Sequence, residues 1–193
     1  SYWKGIKIKS KYQRPCFNIE KPKVYSQKEI INFGLQATLE ISLNLLISIL
    51  VLFELHMIKE GVVFFLVFIP LRKYSGGYHA DTYIKCFIIS ILTLITIMKV
   101  SNVLKLSYII VFALIIITSC ILWKIGPACV AGRPVSNREY LLFKGKLSKT
   151  LICIIFLAVF FILIKEKVFL NVIFLSICLD AVTVVIGKIK YHQ

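Results

Sequence analysis

Long apolar runs separated by short, lysine-rich breaks set the pattern of this chain. Ser26-Gln27-Lys28-Glu29 fits a capping box, with a hydroxyl and a carboxylate three residues apart, and predicts a helix start at Gln27. Ile30, Ile31, Phe33, Gly34 and Leu35 make its opening turns apolar. Helical rise over 27–55 comes to roughly 43 Å, more than the ~30 Å hydrocarbon core of a bilayer. The expectation is an interfacial turn or two leading into a span near 36–55. Five further apolar segments follow, at 61–71, 82–98, 106–123, 150–164 and 168–187. Of these, 82–98 and 106–123 are near full spanning length, 168–187 is full and 150–164 is short. Segment 61–71 is shorter still. It reads either as a span completed by its flanks or as a re-entrant half-span that stops at Pro70. The pattern predicts an all-α integral membrane protein with about six transmembrane helices, the second short or re-entrant. One membrane domain covers 1–193: a basic interfacial segment at 1–35, transmembrane helices at 36–187 and a tail at 188–193.

Charge gives these helices a direction. With the N-terminus in the cytoplasm, 19 of the 24 Lys and Arg residues fall on the inner side, and Lys59, Lys99, Lys105, Lys165 and Lys167 fall outside. The positive-inside rule therefore favours six spans with both termini inside. It places the glycine-containing loop near residue 76 and the long 124–149 loop on the same cytoplasmic face. The expected location is the cell membrane, multi-pass, with any site in these loops at the cytoplasmic side.

Composition agrees with the pattern. The chain is 59% hydrophobic over 193 residues, with a mean hydropathy of +0.85, whereas soluble domains sit nearer half apolar. The net charge of +15 would suggest nucleic acid in a soluble protein. Here the lysines flank spans, so topology and anionic headgroups account for most of them. An acidic peptide is a second, compatible partner, and nucleic acid is not expected. The opening 30 residues lack the apolar core and cleavage site of a signal peptide. A first residue other than Met suggests a trimmed or tagged chain. Cysteines at 16, 86, 120, 129, 153 and 178 form no C-x-x-C or zinc-type spacing, so neither a disulfide framework nor a metal or other cofactor is expected.

The chemistry concentrates in one place. Arg72-Lys73-Tyr74-Ser75-Gly76-Gly77-Tyr78-His79-Ala80-Asp81-Thr82-Tyr83-Ile84-Lys85-Cys86 runs from a polar, glycine-broken loop straight into an apolar helix that carries a thiol. Asp81 or Thr82 can cap that helix, which puts Cys86 in its second turn. The positive helix end and Lys85 favour thiolate there, and burial opposes it. His79 lies seven residues earlier, ~10.5 Å away along a straight helix, too far to act as base. The pair works only if His79 leaves the helix and folds back, a bend that Gly76-Gly77 permits. The plain alternative is a packing cysteine and a histidine that caps the helix or meets headgroups. Arg72 and Lys73 read as topology anchors; Arg72 is also a candidate for a substrate carboxylate. Asp81 is a cap or an orienting partner of His79. Asp180, inside the last span, is read as a structural partner of Lys85, Lys149 or His79, or as a third catalytic member. Glu40 and Asn44, one turn apart, can bond across helices. His56 and His192 are bland by location.

The core Arg72-x-x-x-Gly76-Gly77-x-His79-Ala80, followed by Cys86, resembles the accessory gene regulator B (AgrB) family of membrane cysteine endopeptidases. So do the chain size, the basic N-terminus and the loop Gly126-Pro127 through Gly132-Arg133-Pro134-Val135-Ser136-Asn137-Arg138-Glu139. The resemblance covers nearly the whole chain. It implies Cys86 as nucleophile and His79 as base, with Arg72, Gly76, Gly77, Lys85 and Arg133 meeting substrate or shaping the loop. The implied substrate is a short amphipathic propeptide with an acidic C-terminal tail, held at membrane lipids. Cleavage would leave an acyl thioester that a substrate cysteine closes into a thiolactone signal. The resemblance also raises a homodimer. Two rivals stand beside it: a small transporter or peptide exporter, supported by Asp180 and Glu40, and a non-catalytic assembly factor.

Overall fold

The computed structural model describes residues 27–76, 83–127 and 137–190. Among them are six helices: α1 (Gln27–Glu54), α2 (Ile58–Ser75), α3 (Tyr83–Val103), α4 (Tyr108–Ile125), α5 (Asn137–Leu163) and α6 (Lys167–Lys190). Four of them, α3 to α6, are long and apolar enough to cross a membrane. In α1 the apolar stretch Ile41–Glu54 is shorter. Large side chains such as Leu46, Phe53, Ile109, Phe156 and Ile189 face outward. In water such a surface would be a severe liability; in a bilayer it is the solvent-facing side.

Three tight connections gather at one end. Residues 55–57 and 164–166 close with the same motif. His56 N–H donates to the Phe53 carbonyl and Met57 N–H to Leu52, while Lys165 N–H donates to Ile162 and Glu166 N–H to Phe161. The second residue past each helix, His56 (φ 53°) or Lys165 (φ 60°), takes the left-handed conformation this Schellman cap requires. The third connection, 104–107, ends where Ser107 caps α4 by accepting from Ile110 N–H. Buried Asn171 of α6 donates its amide to the carbonyls of Ser101 (2.8 Å) and Leu104 (3.0 Å). Tyr108 Oη donates to the Lys165 carbonyl at 2.7 Å. The long connections, after Ser75 and after Ile125, therefore lie at the opposite end.

Helix α6 is the axis of the bundle and packs against α2, α3, α4 and α5. Its Leu170, Val172, Ile173, Ile177 and Val184 are buried alongside Val67, Leu71, Met98, Ile115, Leu147 and Ala158 from its neighbours. Helix α1 lies at the margin, against α2 and α3. Gly61 makes the α1–α2 approach, since a Cβ there would sit 2.7 Å from Leu52 Cδ2.

Two expectations need correction. The helix that holds segment 61–71 does not stop at Pro70. Helix α2 runs through Pro70 with a total length of 18 residues, about 27 Å; Val67 and Leu71, on either side of the proline, are fully buried in a helix that packs against α5 and α6. The 150–164 segment is not short. Helix α5 begins at Asn137, so Lys144, Lys146 and Lys149 lie on a helix and not in a loop. Lysine is a good helix former, and a hydropathy reading sees only the apolar half of such a helix. The two continuous elements at the ends, α1 and α6, follow the expected bounds closely.

Candidate functional site

Between α1, α2, α3 and α6 lies a cavity of about 270 Å³. Phe64, Phe65, Phe68 and Ile69 form its α2 wall, Ile89 and Leu94 its α3 wall, and Ile41 and Leu45 its α1 wall. Polar groups enter from all four helices: Asn44 and Ser48 of α1, Arg72 of α2, Cys86, Ser90 and Thr93 of α3, and Thr183 of α6. Cys86 is the fourth residue of α3, half-buried and a free thiol. That position is just past the first three residues of the helix, whose backbone N–H groups lack helical partners, and is close enough to the helix start for the dipole to favour an anion. Cys120 and Cys153 are exposed on helix faces and do not line this cavity, and neither does the half-buried Cys178.

Arg72 is one turn before the end of α2. Its Nη1 donates to the Gly76 carbonyl at 2.9 Å and to Thr183 Oγ1 at 2.8 Å. Thr183 passes its own proton to the Asp180 carbonyl at 2.8 Å, which turns the hydroxyl lone pairs towards the guanidinium. Arg72 thus ties the helix end to α6 and fixes where the chain leaves for the loop. Gly76 sits at φ 69°, ψ −143°, a conformation open in practice to glycine alone. The residue type and the geometry explain each other: the chain must turn sharply just beyond the arginine anchor.

Asp180 is fully buried on α6. Its two carboxylate oxygens have no hydrogen bond within bonding distance among the described residues. The groups that face it are the Ser75 hydroxyl and the Arg72 guanidinium. Ser75, itself fully buried, makes a long 3.3 Å bond to the Gly76 carbonyl. Of the partners expected for Asp180, His79 lies outside the described residues, and the described groups that face it are Arg72 and Ser75. The exposed Lys85 and Lys149 are not among them.

The structure therefore brings Arg72, Gly76 and Asp180 together, and puts Arg72 and Cys86 on one cavity. His79, Gly77, Asp81 and Arg133 lie outside the described residues, as does the side chain of Glu40. Sequence reasoning missed Ser75, Thr183 and Ser90. Their only signal was helical spacing: Thr183 is three residues after Asp180, and Ser90 is four after Cys86.

The rim of this end is basic. Lys73 and Lys146 each lie 5.8 Å from the centre of the Tyr74 ring, and Lys144 lies 4.8 Å from that of Trp123. Lys85 and Lys124 are exposed nearby in the sequence of the same helix ends. Such aromatic–lysine contacts hold the cations at a defined rim.

A family model described as AgrB, accessory gene regulator B, matches residues 10–184. The chain belongs to the AgrB family. No individual curated protein matches it, and no solved structure does. Membership assigns this AgrB protein to the membrane and to the processing of peptides in accessory gene regulator quorum sensing. The matched region includes the whole cavity and every candidate site residue from Arg72 to Asp180.

Proposed function

We propose that this AgrB protein is a cysteine endopeptidase that cuts a quorum-sensing propeptide at the cytoplasmic edge of the membrane. One observation carries the reading: of the described cysteines, only Cys86 sits at a helix start on the wall of the cavity, opposite the arginine that anchors the loop leading to His79. His79 is three residues beyond Gly76, so the two Cα atoms lie at most about 11 Å apart. The tether keeps the imidazole near the site, and the turn at Gly76 supplies the change of direction.

In this reading His79 accepts the Cys86 thiol proton. The thiolate attacks a peptide carbonyl, the C–N bond breaks, and the proton passes to the leaving amine. The N-terminal portion of the propeptide remains on Cys86 as a thioester. A cysteine within that portion then gives its proton to His79 and attacks the same carbonyl. Cys86 leaves, recovers the proton, and a thiolactone ring closes. The second step exchanges one thioester for another and is nearly balanced. The first is uphill from an amide and is drawn forward by binding and by loss of the C-terminal fragment. A tethered thiol outcompetes water through its high effective concentration, and a partly dry site helps. Free N–H groups at the start of α3 are candidates for the oxyanion. Lys73, Lys85, Lys144 and Lys146, with Arg133, would attract an acidic propeptide tail, and Asp81 or Asp180 would orient its partners. Membrane lipids would hold the amphipathic part, and a homodimer is compatible with the open margin at α1.

The test is mass spectrometry of the protein in nanodiscs with the propeptide encoded beside its gene. A thioester adduct on Cys86 is expected, absent in Cys86→Ala and His79→Ala. Full processing by Cys86→Ala would eliminate the nucleophile assignment. A peptide exporter is the second reading, favoured by the buried Asp180; transport that survives Cys86→Ala without processing would select it.

A further inference from the structure

We propose that the cavity beside Cys86 is a subsite for one large apolar side chain of the peptide that acylates Cys86. The choice of a peptide as occupant rests on the peptidase reading above. Size, lining and the thiol on the same wall lead to it.

A cavity of about 150 Å³ lined by Leu, Ile and Phe takes a benzene ring. At about 270 Å³ this one has room for one phenyl or long aliphatic group with space to spare. It is smaller than the ~300–1,000 Å³ typical of sites for whole ligands. The wall is more apolar than its residue types suggest. The Ser90 hydroxyl donates to the Cys86 carbonyl at 2.8 Å, Thr93 to the Ile89 carbonyl at 2.6 Å, and Thr183 to that of Asp180 at 2.8 Å. Each spends its proton on its own helix. Arg72 already donates to Gly76 and Thr183. A polar side chain entering the cavity would lose water and find few donors, a costly exchange.

Cys86 lies on the same wall, and in the peptidase reading the peptide that acylates it is the chain brought against this cavity. The cavity thus combines a place for an apolar side chain and a thiol within the same walls. It would choose which residue presents its carbonyl to Cys86.

The experiment uses thiol reagents and needs no turnover. Protein in nanodiscs is treated with N-methylmaleimide or N-benzylmaleimide, and alkylation rates are read at each cysteine by peptide mass spectrometry. Lipid-facing Cys153 and Cys120 are internal references that cancel the greater partitioning of the benzyl reagent into the bilayer. The Cys86/Cys153 rate ratio is expected to rise about tenfold from methyl to benzyl, through positioning of the ring beside the sulfur. In Ser90→Phe and in Ser48→Phe, which fill the cavity from α3 and from α1, the benzyl ratio should fall to the methyl ratio of the same variant. A ratio that does not depend on reagent size, one that neither substitution changes, or a Cys86 that reacts with neither reagent would overturn the subsite. Size selectivity present in short-chain detergent but lost in nanodiscs would assign the cavity to an acyl chain and overturn the peptide assignment. Loss of selectivity with intact propeptide processing refutes the subsite alone. Selectivity in a protein whose Cys86→Ala variant still processes propeptide refutes the peptidase reading alone.

Discussion

Arg72 spans a gap that no other side chain can span in the same way. Its planar fork reaches the Gly76 carbonyl and Thr183 Oγ1 from a single nitrogen. A lysine ammonium could replace the charge but not the fixed geometry. Charge-assisted hydrogen bonds are each worth about 1.5–3 kcal/mol. Arg72→Ala is therefore expected to reduce propeptide cleavage at least ~100-fold, with Arg72→Lys intermediate; wild-type cleavage by Arg72→Ala would show that the loop needs no anchor. Thr183→Val removes one acceptor and should lower thermal stability in detergent by about 1 kcal/mol. Gly76→Ala is a backbone test. At φ 69°, ψ −143° a Cβ costs on the order of 1–3 kcal/mol. The variant should stay helical while the loop shifts and cleavage falls, as read by circular dichroism beside a cleavage assay. Arg72 was legible as functional from its place in the motif. Its partner Thr183 was not, because a pairing across 111 positions leaves no local trace.

At the scale of elements, the turns and helix crossings are held by few groups. Asn171 alone satisfies two carbonyls at the end of α3. Asn171→Leu leaves both buried without that donor, at about 1–3 kcal/mol each, and should speed hydrogen exchange at the α3–α4 turn. Gly61 lets α1 lie against α2 at Leu52. Gly61→Val would push α1 outward at a cost of about 1–3 kcal/mol. Because α1 forms one wall of the cavity, the same substitution should also weaken the size selectivity of Cys86 alkylation. A variant with unchanged selectivity would show that the cavity is built without α1. The helical extents of α2 and α5 were the least legible features. Hydropathy marks where lipid surrounds a helix, while Pro70 and the lysines of α5 mark only where it does not. Whether the helix continues there depends on what packs against it.

For the whole molecule, charge and connectivity make one joint prediction. The three tight turns share one end, and the positive-inside count predicts that this end lies outside the cell. Single cysteines at Lys59 or Lys165, in a background without native cysteines, should react with an impermeant maleimide added to intact cells. A cysteine at Lys146 should react only after permeabilisation. The reverse pattern would invert the molecule and move the Arg72–Cys86 end to the cell exterior. The placement of α6 as the central axis also gives a buried carboxylate a place away from lipid: Asp180 is fully buried and faces Arg72 and Ser75.

The sequence by itself determined the membrane, the helices and the motif. Apolar runs of spanning length have one stable solution in hydrocarbon, where each backbone group must bond within its own segment. The Arg72-x-x-x-Gly76-Gly77-x-His79-Ala80 core with Cys86 carried the family. Only the tertiary structure decided which side chains share a cavity, that Arg72 holds Gly76 against α6, and that Asp180 lies beneath that anchor. The reason is physical: the membrane constrains each helix separately, through its own hydropathy, whereas a site between helices depends on how α1, α2, α3 and α6 rotate against one another. In helices apolar on all sides, no one-dimensional pattern records that rotation.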